Sequence, residues 1–248
     1  MVVRLLLAAV LLSGCLWRTP VPMTRLEYPV NPPARCLVVL MPGAGSNAGD
    51  FEKEGFVQKL QNSGLSIDVV AANATIGYYM KELMLTRVHE DVFAPLLAAK
   101  QYEKRWIMGM SMGGFGSLFY SMHYPADVDG VFAMAPWLGD EKLVREIIEA
   151  GGLQKWQAPA AEPVNGDNYQ RQFWRWLQEV TNEPSKGPDL WIGWGTDDSL
   201  GKADQVVADR LPKEKVLLTG GGHDWPPWNE LVERFAREGP LAKDCAKQ

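Results

Sequence analysis

Six short apolar runs, separated by stretches of helical period, constrain the fold of this chain more than any other feature. They cover 36–41, 67–71, 105–110, 128–133, 189–194 and 215–219. Strands that are buried on both faces read as near-continuous apolar runs of this length. Between them the spacing predicts helices over 51–61, 81–99, 113–123, 141–149, 169–180, 202–210 and 228–237. In the last of these, Trp228, Leu231, Val232 and Phe235 recur at i, i+3, i+4 and i+7, so one face packs against something apolar. Pro226 and Pro227 suit its first turn, where N–H groups have no partner anyway. Strands alternating with helices predict an α/β architecture, a mostly parallel sheet covered on both faces.

One strand-to-helix junction carries chemistry. Gly109-Met110-Ser111-Met112-Gly113 lies between the strand over 105–110 and the helix over 113–123. A serine on so sharp a turn takes a strained backbone, and glycines two residues to either side let strand and helix approach without side-chain clash. Serine is a poor nucleophile near neutral pH, so it needs a base to take its proton and an acid to orient that base. The chain has three histidines. His89 precedes the serine inside a predicted helix, and His123 ends the helix that follows, both packing or surface positions. His223 follows the last predicted strand, in Gly221-Gly222-His223-Asp224-Trp225, and is the candidate base. The acid belongs after the preceding strand, where Gly195-Thr196-Asp197-Asp198 offers two carboxylates.

Placed where it is, the G-x-S-x-G motif resembles the nucleophile elbow of the α/β-hydrolase superfamily, and Gly114 and Gly116 extend the likeness into the helix. Ser111, Asp198, His223 is that superfamily's chain order for a catalytic triad. Hydrolases of this type commonly read G-x-x-D at the acid loop, which aligns with Asp198 and leaves Asp197 as a turn or capping residue. Asp198 is preferred and Asp197 is kept as the alternative.

Two N–H groups should stabilise the oxyanion. One is that of Met112, directly after the serine; the other is that of Ala44 in Pro42-Gly43-Ala44-Gly45, with Gly45 in reserve. This loop is similar to the His-Gly-x-Gly loop of esterases, with Pro42 in place of the histidine. It also reads as G-x-G-x-x-A, a dinucleotide fingerprint, but the next strand ends Val70-Ala71-Ala72-Asn73, without the acidic residue that reading requires.

With its Gly-Gly-His-Asp-Trp run, the chain resembles the esterase D-like branch of the superfamily over about residues 36–238. The resemblance implies a three-layer α/β-hydrolase fold, with a mostly parallel central sheet of six to seven strands and helices on both faces. It implies hydrolysis of a small-molecule or lipid-like carboxylic ester through an acyl-enzyme, with no metal or organic cofactor. A thioesterase, peptidase or acyltransferase would use the same residues, and a catalytically silent binding lipoprotein is the alternative from a different class. Tyr78, Tyr79, Trp137, Trp225 and Trp228 lie where loops face the expected site. About fifty residues between Trp137 and Asp189 stand where such hydrolases often carry a lid, and Trp174, off the apolar stripe of its helix, is a candidate lid contact.

A formal charge of −5 and a pI near 5.3 remove the basic footprint that nucleic-acid binding needs. At the N-terminus, Arg4 precedes eight apolar residues from Leu5 to Leu12, far short of the roughly 20 that span a bilayer, so 1–14 reads as a signal peptide. Leu12-Ser13-Gly14-Cys15 resembles the bacterial lipobox. That resemblance implies a lipid on Cys15 and attachment to a cell-envelope membrane, with the protein facing the periplasm or the exterior. Residues 15–35 carry Pro20, Pro22, Pro29, Pro32 and Pro33 and read as a tether with one short edge strand near 26–28. The catalytic domain is then 36–240, followed by a polar tail over 241–248. Export implies an oxidising compartment, in which Cys36 and Cys245 either pair or stay apart: one opens a core strand, the other lies in the tail.

Overall fold

The structure is a computed structural model that describes residues 17–31 and 33–247, with seven strands in one sheet ordered β1-β3-β2-β4-β5-β6-β7. The strands are β1 (Arg25–Tyr28), β2 (Cys36–Met41), β3 (Ile67–Ala72), β4 (Lys104–Met110), β5 (Gly130–Met134), β6 (Asp189–Gly195) and β7 (Val216–Thr219). β1 is antiparallel to β3, and the other pairings are parallel. Each of the six apolar runs is a strand, because β2, β3 and β5 bury every residue and β4 and β6 nearly every one. Their side chains alternate between two core layers. Leu37, Val39, Ile107 and Val131 enter one; Cys36, Val38, Leu40, Trp106, Met108 and Phe132 enter the other. Full burial of one such aliphatic side chain contributes roughly 1.5–3 kcal/mol, so the central strands are held from both sides.

From β2 the chain goes to β3 on one side and then to β4 on the other. The loops leaving β2 and β4 therefore part at the C-terminal edge of the sheet. In open α/β sheets that crevice is where ligands bind.

Two predicted helices are divided, each for a local reason. The one over 51–61 is two helices, Asp50–Lys53 and Phe56–Gln61, because Gly55 between them takes φ +79°, a left-handed conformation open to glycine. The one over 81–99 is a series of short segments, with a π-helical turn at His89–Phe93 before a last helix at Ala94–Ala99. Pro95 has no N–H with which to bond the Asp91 carbonyl four residues back. Arg25 Nη1 donates to that carbonyl instead.

Both ends of the described residues are docked more firmly than their composition implies. A proline lacks a donor, yet its carbonyl still accepts, and the Tyr78 hydroxyl donates to Pro20 O at 2.7 Å. Met23 is buried, and its N–H donates to Asp91 Oδ2 at 2.7 Å. Residues 19–28 are thus part of the folded body, not a free tether. The tail is likewise folded: a short helix, Pro240–Asp244, buries Leu241, and Ala246 bridges to Leu65. Cys245 is fully buried and forms a disulfide with Cys36, 209 residues away in the chain. Both cysteines sit in the same core layer, which the polar composition around Cys245 conceals. Closing so long a loop removes unfolded-state entropy equivalent to on the order of 4–5 kcal/mol. The segment 1–14, expected to be a signal peptide, and Cys15 lie outside the described residues.

Candidate active site

Ser111 directly follows β4 and stands at the N-cap of the helix Met112–His123, with φ 54° and ψ −122°. Such a backbone costs on the order of 1–3 kcal/mol in a non-glycine residue and persists only where its surroundings impose it. Here Ser111 N donates to Met134 O at 2.9 Å, while Trp137 N and Phe115 N donate to Ser111 O at 3.0 and 3.1 Å. The motif glycines are sterically required. A Cβ on Gly109 would lie 2.2 Å from Gly113 O, and one on Gly113 would lie 2.1 Å from Met41 O. The loop after β2 also passes over the serine, since a Cβ on Gly43 would stand 3.5 Å from Ser111 Cβ.

The loops after β6 and β7 are joined backbone to backbone: Asp197 N donates to Gly221 O at 2.9 Å, and a Cβ on Gly195 would meet the same oxygen at 2.2 Å. This contact brings the expected acid and base together. His223 Nδ1 lies 2.7 Å from Asp198 Oδ2, and the other carboxylate oxygen accepts Leu200 N at 2.9 Å. The Asp198 side chain is wholly buried and that of His223 is 31% exposed. Asp197 is exposed.

From there the chain turns back toward the crevice. Trp225 packs edge-on against Phe51 and Phe56, with ring centroids 5.7 and 6.3 Å apart, and Asn229 Nδ2 donates to Glu54 O at 2.9 Å. These partners follow the β2 loop, so the helix Trp225–Glu238 starts beside the switch point and draws His223 across the sheet edge. Trp228 stands edge-on to the imidazole at 5.1 Å. Asp198 and His223 are thus in contact, with Ser111 on the same edge; among the described residues no hydrogen bond joins the Ser111 hydroxyl to His223.

Ser46 N donates to Gly43 O at 3.0 Å, closing a tight turn with Ala44 and Gly45 at its centre. Ala44 is half-buried beside Gly43, and Gly45 is exposed. Met112 is the first residue of the elbow helix, where an N–H has no intrahelical partner and the helix end favours negative charge.

The aromatic expectations divide. Trp137 is half-buried, edge-on to Phe115 at 5.4 Å, with its N–H on Ser111 O. Trp174, the candidate lid contact, is instead fully buried and donates to Leu138 O at 2.8 Å, because the core on its side of the helix is deeper than the apolar stripe indicates. The segment around it is clamped by Glu146, which accepts bonds from Arg171 and Trp156 and is held by them down to about 2.

Asp204 escapes a reading of the sequence. It lies on the helix Gly201–Ala208 behind the acid loop, fully buried, with neither carboxylate oxygen hydrogen-bonded among the described residues. Burial pushes its carboxyl well above the usual carboxylate range, and the charge of Asp198 pushes the same way. Val207 and Ala208, three and four residues on, are the signal that places it on the buried face.

With that geometry in view, the sequence profile described as "Putative esterase" matches residues 51–236, three quarters of the chain. The chain belongs to this esterase family. An acetyl esterase of Caldicellulosiruptor saccharolyticus is 23% identical to it over 171 residues, 62% of this chain and 61% of the relative. The match therefore spans about three fifths of that relative's length. Among solved structures, the S-formylglutathione hydrolase of Staphylococcus aureus superposes with a TM-score of 0.57 at 16% identity, covering 82% of this chain and 79% of that one. A fluorophosphonate-binding serine hydrolase of the same organism, solved with substrate bound, gives 0.58 at 16% identity, covering 85% and 95%. At these identities the likeness carries the fold, and the fold of this esterase-family chain is that of an α/β-hydrolase.

Proposed function

We propose that this chain is a serine hydrolase of carboxylic esters, held at a bacterial cell-envelope membrane through a lipid on Cys15. The observation that carries the catalytic part is the 2.7 Å pairing of His223 Nδ1 with buried Asp198, on the sheet edge where Ser111 stands in a strained elbow. With Nδ1 engaged by the carboxylate, Nε2 is the nitrogen left to take a proton. In this reading Ser111 Oγ attacks the acyl carbon as its proton passes to His223 Nε2. The N–H groups of Ala44 and Met112 stabilise the negative charge on the former carbonyl oxygen. The ester C–O bond breaks, His223 returns the proton to the departing alkoxide, and the acyl group stays on Ser111. Water, deprotonated by the same imidazole, then releases the acid. Asp198 holds the imidazole in place and balances its charge.

A fluorophosphonate probe tests the assignment. It should label the purified protein on Ser111 and leave Ser111→Ala unlabelled, while nitrophenyl acetate hydrolysis by Ser111→Ala falls by about 10³-fold or more. Folded protein that takes no label overturns the hydrolase reading. The lipid is tested separately: metabolically supplied palmitate should enter the full chain and not Cys15→Ser.

A further inference from the structure

The lipid anchor proposed above and the docking of the N-terminal segment together fix an orientation. Residues 19–28 are fastened to the body by Lys81 Nζ on Thr19 Oγ1 at 2.9 Å, Tyr78 on Pro20 O, Asn73 N on Thr24 O at 3.0 Å, and the β1–β3 ladder. That leaves little free chain. Cys15 stands two residues before Trp17, a span of at most about 7 Å. An acyl chain on Cys15 would therefore begin beside Trp17.

Large apolar side chains are exposed on the residues around that point. Trp17, Val21 and Met80 are 49%, 64% and 62% exposed, and they lie on the two segments that those hydrogen bonds hold together. Arg18 and Lys81 add positive charge beside them, with Glu82 next in the chain. Exposed tryptophan and aliphatic side chains flanked by cations match the headgroup level of a bilayer containing anionic lipid. The position is also the catalytic edge. β1 is antiparallel with Arg25 opposite Ala72, so the residues before β1 emerge where β3 ends, at the edge that carries Ser111, Asp198 and His223. Tyr79, next to Met80, reaches the elbow helix, since a Cβ on Gly116 would lie 2.1 Å from its hydroxyl oxygen.

We infer that the face formed by Trp17, Val21 and Met80 lies on the bilayer that holds Cys15, which turns the catalytic edge of the sheet toward the lipid surface. The inference rests on the anchor reading, and one experiment separates the two. The full chain, exported and processed, is placed in vesicles of phosphatidylethanolamine and phosphatidylglycerol as Met80→Cys or Lys104→Cys, each labelled with an environment-sensitive fluorophore under non-reducing conditions. Lys104 is an exposed residue that opens β4, at the N-terminal edge of the sheet, opposite the edge that carries Ser111.

Lipids with a nitroxide near the headgroup should quench position 80 at least about threefold more than position 104. Equal quenching in vesicle-bound protein overturns the docked face and leaves the anchor standing. Protein that does not float with the vesicles overturns the anchor, and the docking with it, while nitrophenyl ester hydrolysis in the same sample reports on the hydrolase reading alone. Adding Trp17→Ser and Val21→Ser should abolish the difference in quenching and leave nitrophenyl acetate hydrolysis within about twofold.

Discussion

The molecule holds two histidine–aspartate pairs of nearly the same length. His223 Nδ1 is 2.7 Å from Asp198, and His89 Nδ1 is 2.8 Å from Asp127. Their histidines are similarly accessible, 31% and 34% exposed. They differ in what surrounds them. The Asp198 carboxylate is wholly buried, accepts one backbone N–H besides the imidazole, and stands in a loop at the C-terminal end of β6. Asp127 lies three residues before β5 begins, at the opposite edge of the sheet, and shares its carboxylate oxygen with the Tyr120 hydroxyl at 2.6 Å. His89 also lies flat on the Tyr124 ring at 4.3 Å. One pair holds a part-exposed imidazole, edge-on to Trp228, at the C-terminal end of the sheet; the other locks an imidazole into a stack between helix and loop. Hydrogen-bond length does not separate the pair proposed for catalysis from the other; sheet edge and neighbours are what set them apart.

Substitution at the two histidines is the harshest trial of that contrast. His223→Asn should lower kcat/KM for nitrophenyl acetate by about 10⁴-fold, as expected for loss of the base of a serine triad, with the melting temperature little changed. His89→Asn should do the reverse, keeping kcat/KM within about twofold while removing a stacked, hydrogen-bonded ring that contributes about 1–2 kcal/mol. For a domain of this size that is a drop of roughly 2–8 °C in Tm. A His89 variant as inactive as the His223 variant, yet fully folded, would erase the distinction.

A smaller effect separates the adjacent aspartates. Asp198→Asn keeps the shape but no longer fixes the tautomer or balances the charge of His223, and should cost about 10²–10⁴-fold in kcat/KM. Asp197→Asn, at an exposed position that contributes its N–H to Gly221, should stay within about twofold. Full activity in the first with loss in the second would transfer the role of acid to Asp197.

The strands and the elbow were legible because their physics is local. A run such as Val38-Val39-Leu40 has no solvated face, and G-x-S-x-G between strand and helix leaves glycine as the residue that fits at 109 and 113. What stayed hidden depends on partners far away in the chain. Pro95 divides a helix whose apolar period continues through it, and the carbonyl it leaves free is satisfied by Arg25, seventy residues earlier. Cys245 reads as part of a polar tail because only a few residues there are apolar, yet Leu241 and Cys245 complete a core layer begun by Cys36. The prolines of 15–35 read as a tether because they cannot donate; the structure uses their neighbours' donors and their own carbonyls. Trp174 and Asp204 lay hidden in different ways: one is an aromatic expected as a lid contact and found in the core, the other a carboxyl buried with no hydrogen-bond partner among the described residues.

Asp204 gives the mildest and most specific trial, because its substitution should leave the Asp198–His223 contact in place and change only how stability responds to pH. Its carboxyl is protonated in the folded state well above the ordinary value of 3.8, through burial first and the charge of Asp198 second. In the unfolded chain the same carboxyl ionises near 3.8. Between those two points the unfolded state has lost a proton that the folded state keeps, so stability falls as pH rises through that window. Below it both states are protonated and the group contributes no slope. Asp204→Asn, neutral at every pH, should remove that loss. In urea denaturation at increasing pH from about 4, the stability of the variant relative to the native chain should rise with pH until the folded-state carboxyl itself ionises, with nitrophenyl acetate hydrolysis within about threefold of the native rate. Parallel stability curves would mean that Asp204 is ionised in the folded protein. A buried charge beside Asp198 would then need a counter-ion on the same face of the helix, and the contrast between the two His–Asp pairs would have to include it.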